Sequence, residues 1–147
     1  MTQSENRTGE ASPARASSSS RASRWPIAFS GFSGAVSVAA GAFAAHGLNP
    51  VAQAAQIGWL HTGAQYQALH ALAILATAIA TAAGLASRRW AVAAQLLFVF
   101  GSILFPAALY GLTLGGPRWL GAIAPLGGAS FILGWIALAI GALKTDH

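Results

Sequence analysis

The chain has 147 residues, enough for one compact domain, and 55% of them are apolar while only 7% are charged. Soluble domains average roughly 25% charged residues, so an ordinary water-soluble fold is excluded and a membrane solvent is implied. Four of the eight basic residues behind the +5 net charge are arginines of a polar tail, and no basic face with interleaved aromatics exists to bind nucleic acid; with no Cys, disulfides, thiolate catalysis and Cys-ligated zinc are excluded too.

Residues 1–24 consist largely of Ser, Ala and Arg, including Arg7, Arg15, Arg21 and Arg24, and have almost nothing to bury. They read as a disordered tail. A transit peptide is the rival reading, and Glu5 and Glu10 count against it. From Trp25 to Ser87 no Asp, Glu, Lys or Arg occurs. Hydrocarbon explains such a gap more simply than a soluble core does.

Four apolar runs follow, at about 26–45, 64–86, 90–114 and 120–143. Each is close to the roughly 20 residues that cross a bilayer as helix, and lipid cannot satisfy an open backbone. A cleaved signal peptide competes for the first run, since Ala42-Phe43-Ala44 resembles a cleavage site. The run is longer than a usual signal core, and three more spans follow it.

Span 1 carries Ser30, Gly34, Ser37 and Gly41 at a spacing of four, three, four. Such a small-residue seam lets helix backbones approach in lipid. The first connection is the longest. Asn49 can cap a helix with Pro50 at its first position, and residues 50–60 then either form an interfacial helix or continue into span 2.

Span 2 opens on polar residues: Gln65, Tyr66, Gln67 and His70 fall in its first two turns. Polar side chains inside a membrane are expensive and informative. Tyr66 and His70 are four apart and Gln67 and His70 three apart, so these pairs are surface neighbours. A buried imidazole needs a partner: a carbonyl, Tyr110, or a ligand. Ser87-Arg88-Arg89 then joins span 2 to span 3.

Pro106 lies inside span 3 and is expected to kink it near Ser102. Tyr110 falls near the span's outer end. Gly115-Gly116-Pro117-Arg118 stops the helix. Span 4 has a second small-residue seam, Gly127, Ser130, Gly134, Ala137 and Gly141, and Pro125 either kinks this span or starts it. Both seams are expected to resist bulk.

Basic residues orient the bundle, because cytoplasmic loops are enriched in Lys and Arg. An inside N-terminus puts the four tail arginines, Arg88, Arg89 and Lys144 inside and leaves Arg118 outside. The expected topology is therefore N-in/C-in, with His46, Gln65, Tyr66, Gln67, His70 and Tyr110 forming a polar cluster in the outer half. Trp25, Trp90 and Trp119 fall at span ends, as an aromatic belt requires.

Enzyme chemistry has little to work with. No carboxylate lies between Glu10 and Asp146, and neither a nucleophile elbow nor a phosphate-binding Gly-rich loop with its Lys is present. His61 and His70, nine apart, fall on opposite faces of one helix, so the histidines supply no metal site. No catalytic residue, metal or cofactor is expected.

Four segments carry a family resemblance. Gly41-Ala42-Phe43-Ala44-Ala45-His46-Gly47-Leu48, Gln65-Tyr66-Gln67 with His70-Ala71-Leu72-Ala73, Leu104-Phe105 with Leu109-Tyr110, and Gly121-Ala122-Ile123-Ala124-Pro125-Leu126-Gly127-Gly128 follow in this order. They resemble the signatures of small bacterial inner-membrane proteins of the YgdD and YwdK type, from about residue 31 to 144. The resemblance implies a four-helix inner-membrane protein of unassigned activity. It supplies no catalytic residues and adds weight to His46, Tyr66, His70, Tyr110 and Pro125. The chain departs from that family in its tail, and at Pro106-Ala107-Ala108, where the family carries a small Ser-Gly-Ser stretch.

The sequence thus predicts an all-α membrane protein: residues 1–24 a disordered tail, residues 25–147 a bundle of four transmembrane helices in the bacterial inner (plasma) membrane. The expected role is structural or accessory and non-enzymatic. The alternative is an oligomeric small-molecule or ion pathway that uses the polar cluster. The expected partners are the lipid bilayer and either a second copy or another membrane protein.

Overall fold

Pro26 falls at the start of the first helix, where its missing N–H loses nothing. This helix, α1, runs from Trp25 to His46; α2 runs from Ala54 to Ala82, α3 from Arg88 to Thr113 and α4 from Leu120 to Leu143. The computed structural model describes residues 24–144, among which there is no strand. The expected disordered tail lies outside the described residues except for Arg24.

The first connection settles into a turn rather than a separate helix. The Asn49 side-chain oxygen accepts from the N–H groups of Val51 and Ala52, and the Gln53 side chain accepts from the Asn49 N–H. Residues 54–60 then belong to α2, which is longer at its start than the expected span 64–86 and shorter at its end. The early stop has a local cause. Gly84 adopts a left-handed φ of 73°, the Leu85 N–H reaches the Ala80 carbonyl, and the Gly84 N–H reaches that of Thr81. This is a Schellman termination, which a residue with a Cβ rarely completes. α3 ends the same way, with Gly115 at φ 82° and bonds from Gly116 to Gly111 and from Gly115 to Leu112. Pro106 and Pro125 both lie inside continuous helices, so Pro125 does not start α4.

The helices pack in chain order, α1 on α2, α2 on α3 and α3 on α4, with α1 touching α3 only lightly. α2 and α3 run antiparallel, as the pairs Gln56–Thr113 and His70–Phe98 show, and so do α3 and α4, through Trp90–Gly141 and Phe105–Gly127. The α3–α4 contact is the tightest. A Cβ on Gly127 would come 2.7 Å from the Phe105 backbone nitrogen, one on Gly134 2.6 Å from the Phe98 ring, and one on Gly141 2.9 Å from the Trp90 Cβ. The Ser130 hydroxyl, on the same face, donates to the Leu97 carbonyl at 2.7 Å, and Ala137 is buried between these glycines.

The seam on α1 is placed differently. Ser30 and Ser37 are buried, and the Ser30 hydroxyl crosses to the Ala71 carbonyl of α2 at 2.7 Å. A Cβ on Gly34 or Gly41, however, would meet no atom within 4 Å. α1 turns its serines Ser30, Ser33 and Ser37 inward, and the glycines beside them fall at the margin of that contact. They do not mark a close helix approach among the described residues.

The core is built from α2, α3 and α4: Ala73, Ile74, Ala94, Phe98, Phe131 and Ala137 form one buried cluster, with Phe29 of α1 packed against it. Many large apolar side chains, among them Phe32, Leu72, Phe100 and Ile132, are instead exposed on the helix surfaces. Three helices, α1, α3 and α4, are long and apolar enough to cross a membrane. α2 is the longest helix but is diluted by Gln65, Tyr66, Gln67, His70, Thr77 and Thr81.

Candidate functional site

His70 lies near the middle of the 29-residue α2, deeper than a start at Ala64 would put it. It is 2% exposed. Its Nδ1 lies 2.8 Å from the Tyr66 carbonyl oxygen one turn back, and the Trp135 indole N–H donates to its Nε2 at 3.2 Å. An indole nitrogen can only donate, so Nε2 accepts and Nδ1 carries the hydrogen that meets the carbonyl. Both bonds are therefore made by one neutral tautomer. Burying an imidazole is expensive unless its polar atoms are bonded, and here both are.

Aromatic rings complete the enclosure. The imidazole stacks on Phe131, with centroids 3.5 Å apart and an interplanar angle of 8°. Phe98 lies at 5.6 Å, Trp135 edge-on at 6.1 Å and Tyr66 at 6.1 Å. The Tyr66 ring also packs on Phe105 at 5.0 Å. Residues three or four apart share a helix face. That spacing puts Tyr66 beside His70 on α2 and Phe131 beside Trp135 on α4.

One turn away, a second polar bond joins α2 to α3. The Tyr110 hydroxyl donates to the Gln67 side-chain oxygen at 2.8 Å. Space for the phenol comes from Gly63, where a Cβ would sit 2.7 Å from the Tyr110 ring. Beyond it, the Thr113 hydroxyl reaches the Gln56 carbonyl of α2 at 3.3 Å and the Leu109 carbonyl of its own helix at 2.9 Å.

The six expected polar residues do not form one cluster. Gln67 with Tyr110 and His70 with Tyr66 make two adjacent layers, whereas His46 and Gln65 are exposed at the surface. Of the partners expected for His70, a carbonyl is met, that of Tyr66, whereas the Tyr110 hydroxyl bonds Gln67 instead and Trp135 supplies a donor. Sequence reading missed Trp135, Phe98, Phe131 and Gly63. Trp135 was legible in principle: it lies well inside span 4 rather than at its edge, and an indole N–H away from water requires an acceptor. Among the described residues no group of three His, Asp or Glu side chains converges as metal ligands do. The buried hydroxyls of Ser33 and Ser102 have no hydrogen-bond partner among the described residues.

The comparisons with known proteins agree on a family. The model described as "Protein of unknown function (DUF423)" matches residues 40–128. The UPF0382 inner membrane protein YgdD of Escherichia coli K12 is 38% identical over 122 residues, covering 83% of this chain and 92% of the relative. A UPF0382 membrane protein of Haemophilus influenzae is 38% identical over 119 residues, covering 81% and 91%. The UPF0382 membrane protein SSP2132 of Staphylococcus saprophyticus is 38% identical over 109 residues, covering 74% and 88%. No solved structure matches the chain. With its apolar helices and its relatives both pointing to the bacterial inner membrane, the chain belongs to the DUF423 family of membrane proteins of unassigned role.

Proposed function

We propose that the protein is a non-enzymatic four-span bundle with both termini in the cytoplasm, a structural or accessory component of the inner membrane. The observation that carries this reading is the saturation of His70. Both ring nitrogens are bonded within the bundle and one ring face is covered by Phe131. A proton carrier or ligand site needs a free valence, and this imidazole has spent both on joining α2 to itself and to α4. Gln67 and Tyr110 likewise bond each other across α2 and α3.

The packing of α2 supports the fourth span. It packs between α1 and α3 and is bonded to each, through Ser30–Ala71 and Tyr110–Gln67. A helix held along its length by two membrane-crossing helices shares their slab. Part of its lower apolarity comes from Gln67, His70 and Thr77, which are buried where lipid does not meet them.

The test is His70→Phe, which keeps an aromatic in the stack and removes both hydrogen bonds. The expected result is a loss on the order of 1 kcal/mol in detergent, since interhelical bonds in membranes are individually modest and the Trp135 N–H is left unpaired. Proteoliposomes of the unaltered protein are expected to pass protons and monovalent cations no faster than empty vesicles. A flux that His70→Phe abolishes at unchanged thermal stability would establish the pathway reading instead.

A further inference from the structure

At the end of the bundle where α3 begins and α4 finishes, two cations converge on one ring. The Arg89 guanidinium carbon lies 5.8 Å from the Trp90 ring centroid, and the Lys144 ammonium lies 5.5 Å from it. Both are within the range of cation–π attraction. The ring is anchored, because the Trp90 Cβ packs where a Cβ on Gly141 would come within 2.9 Å. The Ser87 N–H donates to the Gly141 carbonyl at 2.9 Å, tying the α2–α3 turn to the same corner. Arg88 is exposed beside them.

Among the described residues the charges of this corner are all positive, since residues 24–144 contain no Asp or Glu. Arg88 and Arg89 also occupy the first turn of α3, where the helix dipole is positive and favours anions. Among the described residues no side chain caps that terminus. Membrane orientation accounts for basic residues at this end, but it does not require Arg89 and Lys144 to meet over one tryptophan. Trp at a span end sits at headgroup level.

We propose that Arg89 and Lys144, bracketing Trp90 with Arg88 alongside, bind the phosphate headgroup of an anionic phospholipid. The proposal rests on the membrane-spanning reading above. The lipid is favoured over a free anion because the cations stand beside apolar helix surface, with Val92 and Leu143 exposed next to them. Acyl chains would cover that surface while the headgroup neutralises the charge.

The full chain is reconstituted in vesicles of phosphatidylcholine with phosphatidylglycerol brominated high in its acyl chains. Trp90 emission is read as the difference from Trp90→Phe, and yields the binding constant of phosphatidylglycerol relative to phosphatidylcholine at this corner. The expected ratio is well above one, falling roughly five-fold for each cation neutralised in Arg89→Gln and Lys144→Gln. Both side chains are exposed, so these variants should fold, and Lys144→Gln alone suffices if the double variant does not. Trp119, at the opposite end beside Arg118, should show no lipid preference. A Trp90 ratio near one, or one unchanged by the substitutions, overturns the proposal. So does a preference erased by inorganic phosphate at matched ionic strength, which would reveal a free-anion site. Failure of the protein to resist carbonate extraction from these vesicles would sink the membrane-spanning reading itself.

Discussion

Trp135 and Tyr110 each donate one hydrogen bond to a side chain of α2, but their surroundings differ. The Trp135 indole meets a fully enclosed imidazole, while the Tyr110 hydroxyl meets the side-chain amide of Gln67. Trp135→Phe should lower thermal stability in mild detergent more than Tyr110→Phe. It leaves the His70 Nε2 without a donor and opens space beside Phe98, whose centroid lies 5.1 Å from the Trp135 ring. Tyr110→Phe keeps the ring against Gly63 and should cost about 0.6 kcal/mol, the average for a membrane hydrogen bond. Equal losses would mean that the Trp135–His70 bond contributes nothing beyond its ring contacts. The sequence made His70, Gln67 and Tyr110 conspicuous because polar groups in an apolar run demand partners. It did not reveal which partner each one takes. Trp135 lies 65 residues from His70, and spacing along one helix carries no information about such distant contacts.

The helices themselves were the most legible part, since apolar run length and turn residues set them directly. Leu120–Leu143 coincides with the expected fourth span, and the others shift by a few residues except at the start of α2. There the amphipathic stretch from Ala54 onward gave no signal to separate continuation from an interfacial helix. The two glycine seams looked alike in sequence because both repeat every seven residues, yet only one meets a neighbour closely. Gly134→Leu must displace the Phe98 ring, which a Cβ alone would approach to 2.6 Å. Overpacking of this kind costs about 1–3 kcal/mol. Gly34→Leu adds its side chain where nothing lies within 4 Å and should stay within about 0.5 kcal/mol of the parent. Thermal unfolding of the two variants in the same detergent checks the contrast. Equal damage would mean that a second chain covers the α1 glycines.

For the protein as a whole, orientation follows from where charge can and cannot go. Four basic residues precede α1, Arg88 and Arg89 fall at the α2–α3 turn, and Lys144 follows α4; Arg118 alone lies at the other end. Four crossings put the first three of these groups on one side of the membrane and Arg118 on the other. With α2 not crossing, the tail and Arg88–Arg89 would lie on opposite sides, and the positive-inside bias would largely cancel. The chain contains no Cys, so single cysteines report accessibility without background. Val51, Leu85 and Leu114 are 93%, 67% and 78% exposed, one in or beside each connection, and suit that substitution. In intact spheroplasts, Val51→Cys and Leu114→Cys should react with a membrane-impermeant maleimide, while Leu85→Cys should react only after permeabilisation. Labelling of Leu85→Cys from outside together with Val51→Cys would place both ends of α2 on one side. The four-span proposal would then fail, and α2, a 29-residue helix of about 43 Å bonded to both neighbours, would have to pack between α1 and α3 without a crossing.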